Sequence, residues 1–194
     1  MFPKSFQKLI KHFSALPSVG PKMAERLVLF LFKQDRAKIE EFAQSLLEIK
    51  ELKTCAHCYN IAEDTLCHFC KDSKRENGVI CVVEEPLDII SLERTGIYHG
   101  RYHVLGGVIK VGDTGEELKI PALLSRIKNE QIQEIILATN PTTEGDATAL
   151  YIRQKVRPLE IKITRLGRGL STGADLEYAD ERTLSEALTN RKEM

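Results

Sequence analysis

Four of the chain's five cysteines fall within sixteen residues, as Cys55-x2-Cys58 and, eight residues on, Cys67-x2-Cys70. Each C-x-x-C turns the backbone so that both sulfurs face one point. Four thiolates at about 2.3 Å complete the tetrahedral shell of Zn2+, with no position left for water. The spacing therefore predicts one structural Zn2+ per chain, holding a segment whose few apolar residues (Tyr59, Ile61, Leu66, Phe69) are too sparse for a core. The alternatives are a redox pair or two unrelated C-x-x-C motifs. His57 and His68 could compete as ligands, and are expected instead to lie outside the knuckles in solvent. Cys81, inside the apolar run Val79-Ile80-Cys81-Val82-Val83, reads as a small buried hydrophobe.

The rest of the sequence sets the compartment. No apolar run approaches the roughly 18 residues of a membrane span, and the first residues lack a signal-peptide pattern. A cytoplasmic protein is expected, where a reducing environment favours metal ligation over disulfides. The formal net charge is zero, yet residues 1–38 carry eight Lys or Arg against two acids, a balance of +6, while residues 39–78 and 79–194 each come to −3. A basic module is joined to mildly acidic ones.

In the N-terminal part, apolar residues recur at helical spacing in three runs: Phe6, Leu9, Ile10, Phe13; Ala24, Leu27, Val28, Leu31, Phe32; and Ile39, Phe42, Ala43, Leu46, Leu47. Between the first two lies Leu16-Pro17-Ser18-Val19-Gly20-Pro21-Lys22. Pro17 ends one helix, Gly20 is expected to supply a left-handed backbone, and Pro21 suits the first turn of the next. A hairpin of this kind offers free backbone N–H groups and a positive helix end, with Lys22 and Arg26 one turn apart, an arrangement suited to phosphate. It resembles the helix-hairpin-helix motif of sequence-independent DNA binders, in which the hairpin reads Gly-hydrophobic-Gly; Ser18 stands at the first glycine. A plain helical packing unit with a solvated basic face is the alternative.

From Val79 the pattern alternates: strands at 79–83, 101–105, 134–138 and 160–164, helices at 86–94, 118–128 and 144–155. Alternation at this spacing predicts right-handed crossovers and a parallel sheet with helices on both faces, with ligands at the carboxyl ends of the strands. Those ends carry Glu84 and Glu85, and Thr139 through Asp146. An acid after the first strand and an acidic pair after a later one resemble the Toprim domain, whose carboxylates hold Mg2+ beside a phosphodiester. By position Glu84 matches the Toprim glutamate, and Glu144 with Asp146 its Asp-x-Asp pair. Thr143 and Asp146 also fit a helix capping box.

The order helix-hairpin-helix, four-cysteine module, Toprim-like sheet resembles the bacterial recombination mediator family RecR over nearly the whole chain. Tyr102-His103-Val104-Leu105-Gly106-Gly107, Thr164-Arg165-Leu166 and Asp175 through Asp180 carry the resemblance further. It implies a multidomain α plus α/β architecture: a helical module (1–53), a zinc module (54–77), a Toprim-like domain (78–170), and a C-terminal segment (171–194) with a tail helix that makes oligomer contacts. It further implies a non-catalytic DNA clamp, a ring-like homo-oligomer (tetramer or dimer) around duplex DNA, that acts with RecO and in some bacteria RecF to load RecA onto SSB-coated single strands. Lys22 and Arg26 would face DNA; Glu84, Glu144 and Asp146 would lie on the surface that meets RecO. The competing class is a Mg2+-dependent Toprim phosphodiester enzyme such as a small nuclease.

Overall fold

Each predicted N-terminal run folds as a helix: α1 (Lys4–Ser14), α2 (Pro21–Phe32) and α3 (Arg36–Glu48). α1 lays Phe6, Ile10 and Phe13 inward, half-buried, with Phe6 edge-on to Phe32 at 6.4 Å between ring centroids. α2 buries Ala24 and Val28, and Asp35 caps α3 by accepting from the Lys38 amide at 2.9 Å. The hairpin differs from expectation at one residue. Gly20 is extended (φ −75°, ψ 165°) and serves as the N-cap of α2, while the left-handed residue is Ser18 (φ 63°). The turn needs a positive φ two residues earlier than predicted, where a side chain is strained. Replacing Ser18 with glycine is expected to stabilise this unit by about 0.5–1 kcal/mol, because the strain released exceeds the extra chain entropy lost; a thermal melt of the variant reads it.

The computed structural model describes residues 2–191 and 193, and its chain forms two units, one ending at Leu52 and one beginning at Lys53. The second unit opens with a short antiparallel ladder, β1 (Lys53–Thr54) with β2 (Ile61–Ala62), and a single helical turn, α4 (His68–Lys71). Next come β3 (Val79–Val83), α5 (Pro86–Glu93), β4 (Arg101–Val104), α6 (Ile120–Asn129), β5 (Glu134–Ala138), α7 (Thr143–Val156), β6 (Lys162–Arg165) and α8 (Glu181–Thr189). β3 through β6 form one parallel sheet in the order β4-β3-β5-β6. The last strand begins two residues later than predicted, because Arg157–Leu159 form a 3-10 turn and Glu160 takes a left-handed conformation (φ 53°).

Alternation along the strands divides the core between the two faces of the sheet. Ile80, Val82, Ile135 and Leu137 point to one face and pack with Leu123, Ile127, Ala149, Ile152 and Val156 of α6 and α7. Cys81, Val83, Tyr102 and Val104 point to the other, and meet Ile89 of α5 together with Cys55, Cys58, Cys67 and Phe69. Each fully buried Val, Leu or Ile contributes about 1.5–3 kcal/mol. The cysteine segment itself therefore covers part of the second face. Phe69 stands edge-on to Tyr102 at 5.3 Å, Arg101 donates from Nη1 to the carbonyls of Phe69 (2.9 Å) and Cys70 (2.7 Å), and the Val104 amide donates to the Cys58 carbonyl at 2.8 Å. The last bond occupies an outer amide of β4, a strand at the edge of the sheet.

Candidate metal centre and carboxylate cluster

The sulfurs of Cys55, Cys58, Cys67 and Cys70 all lie within 4.8 Å of one another. A tetrahedral Zn2+ with bonds of about 2.3 Å needs sulfurs about 3.8 Å apart, so the donor set and its spacing fit that ion. Local backbone prepares the site: the Cys67 amide donates to Cys55 Sγ at 3.3 Å, and Tyr59 turns left-handed (φ 65°) so that its amide reaches the Cys55 carbonyl at 3.0 Å. Without a cation the thiols must share protons. Contacts with Cys67 and Cys70, aided by burial, push Cys58 far above the ordinary thiol range, while hydrogen bonds from Cys58 and Cys70 hold Cys67 far below it. A divalent cation removes that conflict by taking all four as thiolates.

Neither nearby histidine joins this set. His57 Nε2 meets Glu130 Oε1 at 2.9 Å, and Glu130 is also held by Arg126 Nε at 3.0 Å, so His57 ties the first knuckle to α6 and is not incidental. His68 lies against the Phe69 ring. Cys81 is 2% exposed, its thiol pushed up to about 12, mainly by burial, as expected for an inert core residue.

The acids after the strands sit at the point where the strand order reverses, between β3 and β5. Glu84 is buried and uses both oxygens on Asn140, accepting from its amide at 2.7 Å and its side-chain nitrogen at 2.5 Å. Gly145 is required beside it. A Cβ there would collide with the Asn140 carbonyl oxygen and come within 2.9 Å of Glu84 Oε1. The helix cap is Thr142, which accepts from the Gly145 amide at 3.0 Å. The expected box of Thr143 and Asp146 is off by one residue, since either threonine of the Thr142-Thr143 pair suits the sequence pattern.

Asp146 has another task. Arg165 Nη2 lies 2.5 Å from its Oδ1, Arg168 forks onto both oxygens, and Arg182 of α8 binds Oδ2. Hydrogen bonds from Arg168 first, then from Arg182 and Arg165, hold this carboxyl far below the ordinary carboxylate range. Arg168 also lies 3.8 Å from Glu186, and Asn190 donates to the Arg168 carbonyl at 3.3 Å. Asp146 is thus the anchor of the C-terminal arm. Three converging open carboxylates are not what the fold contains: Glu84 is tied to Asn140, Asp146 to arginines, and only Glu144, half-buried at the start of α7, makes no side-chain bond among the described residues. Sequence pattern does not assign these arginines to Asp146; Arg165 ends β6, the strand beside β5, and Arg168 follows it, a neighbour relation that strand order alone supplies.

Lys22 and Arg26 are both exposed on the first two turns of α2, and neither forms an ion pair among the described residues. Among the described residues no helix is long and apolar enough to cross a membrane.

Comparison with known proteins agrees with this architecture. Residues 6–50 match the RecR helix-hairpin-helix family, residues 78–167 the Toprim domain, and residues 169–192 the RecR C-terminal family. The chain is 47% identical over 195 residues to the recombination protein RecR of Herpetosiphon aurantiacus, covering 99% of this chain and 96% of that one. It is 46% identical to the RecR of Chloroflexus aggregans (96% and 93% covered) and 45% identical to that of Staphylococcus aureus (100% and 99% covered). With family matches over the helical hairpin, the parallel Toprim sheet and the C-terminal segment, and 45–47% identity to RecR proteins over nearly its whole length, the chain belongs to the RecR family of recombination proteins.

Proposed function

We propose that the chain is a non-catalytic, sequence-independent DNA-binding mediator that works in the cytoplasm with RecO, and where present RecF, to load RecA onto SSB-coated single strands during recombinational repair. The observation that carries this reading is a basic helical module, with Lys22 and Arg26 unpaired among the described residues, in the same chain as a Toprim site in which Glu84 and Asp146 are already engaged. The Toprim match alone favours a Mg2+-dependent phosphodiester enzyme. Against it, a cation at Asp146 would have to displace three guanidiniums, and Glu84 has no oxygen free of Asn140.

Self-association into a ring, dimer or tetramer, belongs to the same proposal. In the N-terminal unit Phe30, Phe32, Leu46 and Leu47 are exposed beside an apolar groove of about 530 Å³, and the C-terminal arm exposes Leu176, Tyr178 and Leu188. Each set offers an apolar contact for a second copy.

The test is DNA binding by fluorescence anisotropy across a salt series. Wild type should bind unrelated sequences alike, with affinity falling steeply as salt rises, and Lys22→Ala with Arg26→Ala should lower affinity for all of them. Unchanged affinity and salt slope in the double variant would make the hairpin a packing element, and Mg2+-dependent cleavage of plasmid would move the protein into the enzyme class.

Of the acids at the strand ends, Glu144 is the residue proposed to meet RecO directly, with Glu84 and Asp146 shaping the surface around it. Glu144→Ala should weaken RecO binding, more so at low salt, and leave zinc content and oligomer mass unchanged. Binding equal to wild type removes Glu144 from the interface.

A further inference from the structure

We infer that α1 carries a second phosphate-backbone contact, formed by Lys4, Lys8 and Lys11, beside the one proposed at Lys22 and Arg26. The inference rests on the DNA-binding reading above and extends it to a helix outside the hairpin. Helical geometry puts these three lysines in one row, separated along the axis by about 6 Å and 4.5 Å. All three are exposed. The row runs about 10 Å, the axial span of roughly three phosphate steps along one DNA strand at about 3.4 Å each.

A solvated lysine face is the ordinary explanation for such a stripe, and three observations count against it. α1 contains no acid at all, and its last turn adds His12 to Lys11. None of its lysines forms an ion pair among the described residues, whereas α3 in the same unit pairs Arg36 with Glu40 at 2.7 Å and Lys38 with Asp35 at 3.5 Å. Moreover, Lys4 with Lys8 and Lys8 with Lys11 are like charges at i,i+4 and i,i+3, an arrangement that destabilises a helix by about 0.2–0.5 kcal/mol per pair. A helix needing only solubility would place acids among them. An uncompensated row of cations is what a polyanion neutralises.

The opposite face of α1 decides between polyanions. A helix this amphipathic would suit an anionic membrane if its apolar side were free. Here Phe6, Ile10 and Phe13 are half-buried, with Phe6 between Phe2 (4.7 Å, stacked) and Phe32. Most of the apolar side is packed within the unit, and Leu9 borders the groove offered above to a second copy, leaving the charged row for a ligand that needs only cations, as the backbone of a nucleic acid does.

The experiment compares full-length wild type, Lys4→Gln/Lys8→Gln/Lys11→Gln, the matching triple Arg variant, and Lys22→Ala/Arg26→Ala, by anisotropy with labelled DNA over about 0.05–0.2 M salt, the range across which phosphate-driven binding falls away. The triple Gln variant should bind at least about tenfold more weakly near 0.1 M, with its slope of log K against log salt shallower by roughly 2–3 per engaged protomer, about 0.9 for each phosphate no longer neutralised. The triple Arg variant should restore both quantities, and helix content by circular dichroism should match wild type in each. A triple Gln variant with wild-type affinity and slope overturns the inference while leaving the hairpin contact standing. Wild type that shows no salt-dependent DNA binding overturns both readings. Pelleting with anionic phosphatidylglycerol vesicles, abolished by the Gln variant while its DNA binding is unchanged, reassigns the row to a membrane surface.

Discussion

Chelating the metal, or replacing Cys67 with serine, is expected to unfold the cysteine segment and uncover the part of the Toprim sheet it packs on. The metal-binding free energy of a four-thiolate site in a small module is about 10 kcal/mol or more, comparable to the whole stability of many domains. Within itself the segment has little else to hold it. Its own strands are two residues each, and Phe69 gains a core by packing beside Tyr102 on the sheet. Losing the knuckles frees Cys58 from Val104 and Cys70 from Arg101, so Arg101, 9% exposed, loses two acceptors where water is scarce. Elemental analysis should give one zinc per chain, and the thermal midpoint of the Cys67→Ser protein should fall far below wild type. Metal-free protein that remains soluble and melts like the zinc-loaded form would overturn the assignment.

Asp146→Ala should release the C-terminal arm. The arm's helix α8 has no fully buried residue and spans nine residues, too few for stability in isolation, so its place depends on Arg182, Arg168 and their shared carboxylate. Removing the acid also leaves Arg165, Arg168 and Arg182 facing one another. The side chain of Asp146 is 22% exposed, between a surface pair and a buried one, and the expected loss is about 1–3 kcal/mol. Limited proteolysis in residues 169–180 should quicken in the variant while the Toprim core stays protected. The pH dependence follows from the lowered carboxyl: the latch contributes fully above the ordinary Asp pKa of about 3.9 and is lost only as pH falls through the much lower folded value. Mild acid should leave the arm in place, whereas high salt, which screens partly exposed charges, should loosen it. Equal proteolysis of wild type and variant would show that Asp146 does not hold the arm.

Local pattern carried most of the fold. β3 and β5 have the residues that alternation of Val, Ile and Leu predicts, and α7 extends one residue beyond its expected span at each end. What local pattern lacks is adjacency. Glu84 meets Asn140 because β3 and β5 are neighbours in space, and Asp146 meets Arg165 because β6 lies beside β5. Neither relation is written in spacing, so carboxylates that look like an open cluster in the sequence turn out to be satisfied one by one. The four-cysteine cluster was legible because all four residues lie in one short stretch and need no knowledge of topology. Ser18 shows the opposite limit. Glycine at position 20 drew the expectation of a left-handed turn, but the backbone needed that turn at 18 and imposed it on a serine.

The arginines around Asp146 also constrain how this surface can change by mutation. Removing any one of them leaves the carboxylate still bound by the other two, and removing all three costs the arm its anchor before any cation has gained a place. Removing the acid instead discards a carboxylate that a divalent ion would need. Each single step toward an open carboxylate site therefore costs stability before it frees room for a cation.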